Sequence, residues 1–438
     1  MKVYKIKKRL RELIFDFYEH YPTFGKPLVI GWGFLYKTKF LVKKTFFKSR
    51  NKLEFSASEI KINPILWVNP KNILLKLKIN TLNNSSAIVD GDWDLPVKNI
   101  ESSDIYQALK QRFYENQEWD KISYLNQIRD QISNGEEVLG CRNIEEFSKK
   151  LEDLEILYNK LENSNDSLKE IYVLNSDDTI DSPAKMDEIS VGINRKGHFI
   201  LVGGDFGFFI VHLLGIPKVP VKIVRRHKEW AEFKRTMYHF ANNYEGKKIY
   251  QRFTHPDLED IPYKYGDERF NLIKANLTAK QGKILDIGSN LGYFCRKFED
   301  EGFECQATET NHLFVEFLMK LRDAEHKKFK IFPKSIFLFR RDEVLEYDII
   351  LALFIFHHFI LRKNIFENFK KLLGRIKTKE LYFGVHNFEE YKNNKRVYMN
   401  FNQEQFVNFI LENSCLNHAE RLIVYESGRA LYKLTSTD

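Results

Sequence analysis

The 438-residue chain holds only four cysteines, Cys141, Cys295, Cys305 and Cys415, far apart and with no CxxC pair or Cys/His cluster. Such spacing indicates neither a disulfide framework nor a zinc site. Long apolar runs are missing too. No segment reaches the roughly 20 apolar residues that a bilayer span needs. The nearest candidate, 199–216, carries Asp205 and four glycines and is better read as strand, turn and helix. In the first 21 residues charges interrupt the apolar positions, so no signal-peptide core forms, and a cytoplasmic protein without a transmembrane segment is the expectation. Internal repeats and low-complexity tracts are also lacking.

What is present is a globular composition, 43% hydrophobic and 29% charged. A chain of this length exceeds the size at which one core stops growing, so two or three domains are expected. The net charge of +9 is uneven: residues 1–50 hold 13 Lys and Arg against Glu12, Asp16 and Glu19, a net of +10, which leaves about −1 for the rest. A local electropositive segment of this kind offers a contact to phosphate, anionic lipid or nucleic acid; a solvated basic helix is the alternative.

Ile6, Leu10, Leu13, Ile14, Phe17, Tyr18 and Tyr21 recur at helical spacing and predict one amphipathic helix. Short β-rich runs follow at 28–30, 40–42, 65–68 and 73–77, broken by Gly, Pro and Asn. Helical periodicity returns over 102–112 and 144–161, and the polar stretch 163–167 reads as a loop or a helix end. From 187 to 230 the pattern is strand, turn, strand, Gly-Gly turn, helix (208–214) and strand (219–224), an α+β unit. A helix over 232–244 leads to a last segment in which strands and helices alternate, as a doubly wound α/β fold requires. The expected division is 1–165, 166–245 and 246–438.

The chemistry lies in that last segment. Lys283 to Ile287 is a short aliphatic strand that runs into Gly288-Ser289-Asn290-Leu291-Gly292, after which 293–301 reads as a helix. A glycine turn at a strand's C-terminal end lets backbone approach a ligand, and the helix start offers free N–H groups. A second strand, 304–308, ends in Glu309, 23 residues after Asp286, where a carboxylate can accept hydrogen bonds from both hydroxyls of a ribose. The turn is not the GxGxxG dinucleotide fingerprint; strand, turn, helix, strand and acid in order are what carry the reading.

LDIGSNLGYF with its downstream ETN resembles motif I and the acidic loop of class I S-adenosylmethionine (SAM)-dependent methyltransferases, over roughly 249–433. The resemblance implies a Rossmann-like doubly wound domain, SAM as cofactor, Asp286, Gly288, Asn290 and Gly292 at its methionine part, and Glu309 at its ribose. It also implies a fourth strand at 347–353 whose end, Leu353, faces cofactor and acceptor, and an adenine-side loop at Lys334-Ser335-Ile336. Directly after that strand comes Phe356-His357-His358-Phe359. Either histidine is a candidate general base, since imidazole titrates near neutral pH; a hydrogen-bonded structural histidine is the alternative.

Upstream, 187–230 resembles the ParB/sulfiredoxin superfamily, with Phe206 and Gly207 where that family places a phosphate-binding His-Arg pair, so a non-catalytic copy is implied. Arg225-Arg226-His227-Lys228 is a candidate contact for an anionic acceptor, or a solvated strand end. Gly91-Asp92-Trp93-Asp94 is a candidate sugar or metal site, or a turn with a packed tryptophan. The layout resembles that of proteins accompanying glycan assembly, which makes a saccharide or lipid-linked saccharide the first expectation for the methyl acceptor. RNA methylation, with the basic N-terminus as its electrostatic footprint, and a non-catalytic SAM-binding scaffold are the rivals.

Overall fold

The computed structural model describes residues 65–78, 87–163, 188–243, 245–391 and 397–436. The basic segment 1–50, the helix expected at 6–21, and the strands expected at 28–30 and 40–42 lie outside the described residues.

Two seven-stranded sheets dominate. The first is built from β1 (Ile65–Val68), β2 (Leu75–Leu77), β3 (Ala87–Val89) and β4 (Val97–Asn99), then, after helices α1 (Asp104–Phe113), α2 (Ser123–Ser133) and α3 (Ile144–Asn163), from β5 (Ser190–Ile193), β6 (Phe199–Gly203) and β7 (Val219–His227). Helix α4 (Asp205–Leu213) joins β6 to β7, and α5 (Lys228–Asn242) follows β7 without a break. The strand order is β1-β7-β5-β6-β2-β4, with β3 pairing the far end of β7.

Segments 1–165 and 166–245, expected as separate domains, therefore contribute strands to one sheet. The reason is register: β7 is nine residues long, and its first half pairs β1 antiparallel while its second half pairs β3 parallel. In α3 Phe147, Leu151, Leu154, Leu157 and Leu161 fall on one buried stripe, with Glu145 and Glu146 in the first turn favouring the helix dipole.

A short parallel pair, β8 (Ile249–Gln251) and β9 (Tyr263–Tyr265), precedes the second sheet. There α6 (Glu268–Ala275), β10 (Lys283–Ile287), α7 (Tyr293–Asp300), β11 (Glu304–Thr308), α8 (His312–Ala324), β12 (Lys330–Phe332), β13 (Leu345–Ala352), α9 (Lys363–Arg375), β14 (Ile376–Val385), α10 (Gln403–Asn413), β15 (His418–Val424) and β16 (Ala430–Thr435) alternate. The order is β12-β11-β10-β13-β14-β16-β15, parallel through β14, with β16 antiparallel to both neighbours. This is a Rossmann-like α/β fold, as the alternation predicts. Four of the five residues of β10 are buried, because helices cover both faces of a parallel sheet. The sheet order reverses at β10, between β11 and β13, and it is at such a switch point that open α/β sheets bind ligands.

The lobes are not separated by a polar seam. One apolar cluster runs from Ile193 and Trp230 into Leu291, Phe317 and Leu321, and Phe240 packs edge-on against Phe314 and Phe317. Beside Trp230 lies a buried ion cluster: Asp257 accepts from Arg226 at 2.8 Å, from the Trp230 indole at 2.9 Å and from Lys234 at 3.4 Å. Among the described residues no helix is long and apolar enough to cross a membrane.

Candidate active site

Backbone hydrogen bonds shape the turn after β10. Gly288 and Ser289 both donate to the Thr308 carbonyl, at 2.9 and 3.0 Å, and Gly292 donates to the Ser289 carbonyl at 2.8 Å. Gly288 and Gly292 sit at φ +72° and +71°, where a side chain is strained. A Cβ on Gly288 would come within 2.8 Å of Ile355, and one on Gly292 would run into Leu318. Asn290 also takes a left-handed φ, 54°, which asparagine tolerates. Behind the turn, the fully buried Arg296 donates to the Leu291 carbonyl and at 2.9 Å to Thr254, and pairs with Glu325. The turn is thereby tied to the polypeptide that enters from β8.

Glu309 and the turn meet. One carboxylate oxygen accepts from the Asn290 N–H at 2.9 Å, the other from Thr310 and Asn311 N–H at 2.8 Å each. A carboxylate offers about four acceptor positions, so one remains, on the oxygen facing the turn. Burial raises the Glu309 pKa, against the pull of those three amides. Asp286, in β10, is nearly solvent-free; its pKa is pushed up to about 7, first by desolvation and then by the charge of Glu309. The Cys295 thiol points at it from 3.8 Å.

The donor set fits the cofactor that the resemblance implies. Gly288 leaves a cradle that a Cβ would fill, the Ser289 hydroxyl is buried without a partner, and one carboxylate acceptor stays free. The remaining expected contacts fall on both sides. Ser335 is half-buried in the turn after β12, its carbonyl accepting from Leu338 and Phe339. Ile336 is a buried core side chain packed with Leu285 and Ile287, and Leu353 is half-buried at the end of β13.

His357 and His358 occupy one 3-10 turn after β13. His357 is buried, its Nδ1 has no hydrogen-bond partner, and its pKa is driven down to about 2 by desolvation and then by His358, His386 and Arg429. A group so hard to protonate is a poor general base. His358 is exposed at its surface, and partial desolvation, then the charge of Arg429, lowers its pKa.

Sequence reasoning missed four residues here. His386, just past β14, is buried 5.9 Å from His357, and neither of its nitrogens finds a partner of good geometry. Arg269 from α6, Tyr425 from the β15–β16 turn and Arg429, in a bidentate pair with Glu390 at 2.8 Å, complete the rim. Their positions after the ends of β14 and β15 were the available signal; α6 gave none.

The two upstream candidates are absorbed by structure. Arg195 bridges Asp94 at 2.6 Å and Asp92 at 2.8 Å, and Trp93 packs against Gly192 and beneath Arg225. Arg226 goes to Asp257, His227 to the Gly91 carbonyl and Lys228 to Asp90. The turn with a packed tryptophan describes 91–94, and 226–228 are tied down by their partners, while Arg225 lies over the Trp93 ring with its Nε buried and unbonded. Among the described residues no group of His, Cys, Asp and Glu has metal-binding geometry.

No protein-family model matches the chain, and no curated protein does. Solved structures similar to it include the bifunctional kinase-methyltransferase WbdD, 18% identical at a TM-score of 0.36, over 46% of this chain and 46% of that one. The methyltransferase domain of bacterial-CtHen1-CN matches at 15% identity and a TM-score of 0.31, over 39% of this chain and 98% of that one. A protein from Pyrococcus horikoshii OT3 matches at 11% and 0.33, over 39% and 89%. The chain spans less than half the length of the WbdD chains it matches. At such scores the likeness carries no functional weight.

Proposed function

We propose that this chain is a SAM-dependent methyltransferase. The observation that carries the reading is the meeting of Glu309 with the glycine turn, where a carboxylate at the end of β11 bonds the Asn290 amide 2.9 Å away and keeps one acceptor position free. SAM supplies an electrophilic methyl on a sulfonium. The turn gives backbone N–H groups and a cradle without side chains, Glu309 fixes a hydroxyl of the ribose, and Ser335 borders the base. Phe354, Phe356 and His357, at the end of β13, exclude water from the point where acceptor and methyl meet, and positioning of this kind supplies much of the rate in a displacement.

His357, neutral at any working pH, accepts a hydrogen bond from the acceptor and does not store a proton. His386 stands behind it in the same role. The acceptor side presents rings and hydrogen-bonding groups together, His358, Tyr391 and Tyr425 among them, and this supports a saccharide-bearing acceptor. An RNA acceptor would draw on residues 1–50, outside the described residues. The sheet of β1–β7 is proposed as a non-catalytic platform: where a ParB-like domain would clamp phosphate, Asp205 opens α4 and pairs with Lys76, which puts a carboxylate at the helix start.

Calorimetry with S-adenosylhomocysteine tests the reading. The intact protein binds it, and Glu309→Ala weakens binding by about 1.5 to 3 kcal/mol, the worth of a hydrogen bond to a charged group. A folded protein that binds neither S-adenosylhomocysteine nor SAM overturns it.

A further inference from the structure

We infer that Arg296, held in place by Thr254 and Glu325, is a positioning residue for the cofactor turn: it fixes the Leu291–Gly292 peptide so that the turn can grip the amino-acid tail of the cofactor. The inference rests on the methyltransferase reading and adds a residue that touches neither cofactor nor acceptor.

The peptide between Leu291 and Gly292 is held at both ends. Its N–H, on Gly292, donates to the Ser289 carbonyl at 2.8 Å, and its C=O, on Leu291, accepts from a terminal nitrogen of Arg296. The amides before it are fixed as well, Gly288 and Ser289 by the Thr308 carbonyl and Asn290 by Glu309. Within 288–292 the Leu291 N–H alone donates to nothing among the described residues. It is the donor left over for a ligand, and the anchored peptides on either side fix where it points. A turn set in advance pays no ordering entropy when the ligand arrives.

Burying a whole guanidinium behind a turn is costly unless its charge and donors are met. The Arg296 Nε donates to the Thr254 hydroxyl at 2.9 Å and lies 3.2 Å from Glu325; that hydroxyl in turn donates to the Glu325 carboxylate, 2.7 Å away. One terminal nitrogen of Arg296 still has no partner, so the arrangement is not the one that stability alone would favour. Thr254 is itself anchored from the first sheet. Its neighbour His255 stacks on Phe199 at 5.2 Å and donates to the Gly197 carbonyl at 2.9 Å, and Asp257 is fixed by Arg226 and Trp230. The Leu291 side chain packs in the apolar cluster that joins the two lobes. Glu309 does not depend on this network, because Thr310 and Asn311 hold its carboxylate whatever Asn290 does. Loosening Arg296 therefore affects the tail of the cofactor and spares its ribose.

The test compares the full-length protein with Thr254→Val and with the double substitution Arg296→Met/Glu325→Gln, which removes both buried charges together so that neither is stranded. Calorimetry measures the affinity of each for S-adenosylhomocysteine and for 5′-methylthioadenosine, which lacks the amino-acid tail. The double substitution is expected to weaken S-adenosylhomocysteine binding at least about tenfold, the scale of a hydrogen bond to a charged group, and to leave the methylthioadenosine affinity as it was. Thr254→Val should shift the ratio of the two affinities the same way by less. Unchanged S-adenosylhomocysteine binding in the double variant overturns the inference. So does a parallel loss for both nucleosides, since a merely structural arginine would loosen the whole site and not the tail alone. If the double variant fails to fold by circular dichroism, Thr254→Val decides, and an unchanged ratio there refutes the inference. A wild-type protein that binds neither nucleoside is a failure of the methyltransferase reading and is seen before any variant is compared.

Discussion

Replacing Asp286 by Asn separates the demands of the proposed cofactor site from those of the fold. The carboxyl is nearly solvent-free, with Glu309 as its charged neighbour, and its pKa stands at about 7 against an ordinary 3.8. The unfolded chain gives up this proton near pH 4, whereas the folded chain keeps it until about pH 7. Between those values the folded state binds the extra proton, so stability falls as pH rises, by 1.36 kcal/mol per pH unit for one proton. From pH 5 to pH 8 the loss is about 2 to 3 kcal/mol, most of it below the folded pKa. Asn carries no such proton. The free-energy difference between Asp286→Asn and the wild type should therefore move by about 2 to 3 kcal/mol in the variant's favour over that range. Urea unfolding followed by circular dichroism at half-unit pH steps reads it. A difference that stays constant from pH 5 to pH 8 refutes the assignment of a raised pKa. Because Glu309 is coupled to the same site, the step belongs to the pair, and Glu309→Gln should shift its midpoint down. A positively charged cofactor prefers the ionised carboxylate, so SAM affinity should rise with pH through 7 by up to about tenfold per unit, and the slope should vanish in Asp286→Asn.

Removing the anion from the buried cluster, Asp257→Ala, takes the buried carboxylate from Arg226 and leaves Lys234 with Asp260 at 3.2 Å; it is expected to cost about 3 to 5 kcal/mol, read as a lowered unfolding midpoint. Gly384→Ala places a Cβ 2.6 Å from the Phe354 backbone nitrogen; overpacking of about 1 to 3 kcal/mol is expected, read as a lowered urea midpoint. His357→Asn should lower turnover without removing any step from the pH–rate profile between 5 and 9, because the ring's pKa lies near 2; a step that disappears with the substitution contradicts the neutral role.

Some of this was legible in the chain as written. The switch from β-period to helix-period at 283–301, the glycines that close the turn and the acid 23 residues on are local patterns, and local sterics alone bring them to a strand end. Gly288, Gly292 and Glu309 could be placed at strand ends for that reason, and the α/β alternation read correctly. Tertiary structure decided the rest. That β7 is long enough to join strands from 65–99 and from 190–227 is a matter of register between distant segments, which no window of sequence contains. It also settled the fate of charges: Arg226 and Asp94 look like surface groups in sequence and are consumed by partners 31 and 101 residues away. Arg269 is the reverse case, one arginine in an ordinary helix until four rings from separate segments surround it. A hydrogen bond or a desolvation cost depends on what lies within a few ångströms, and over such distances sequence separation says little; the sequence set which groups were available, and packing chose the ones left without a partner.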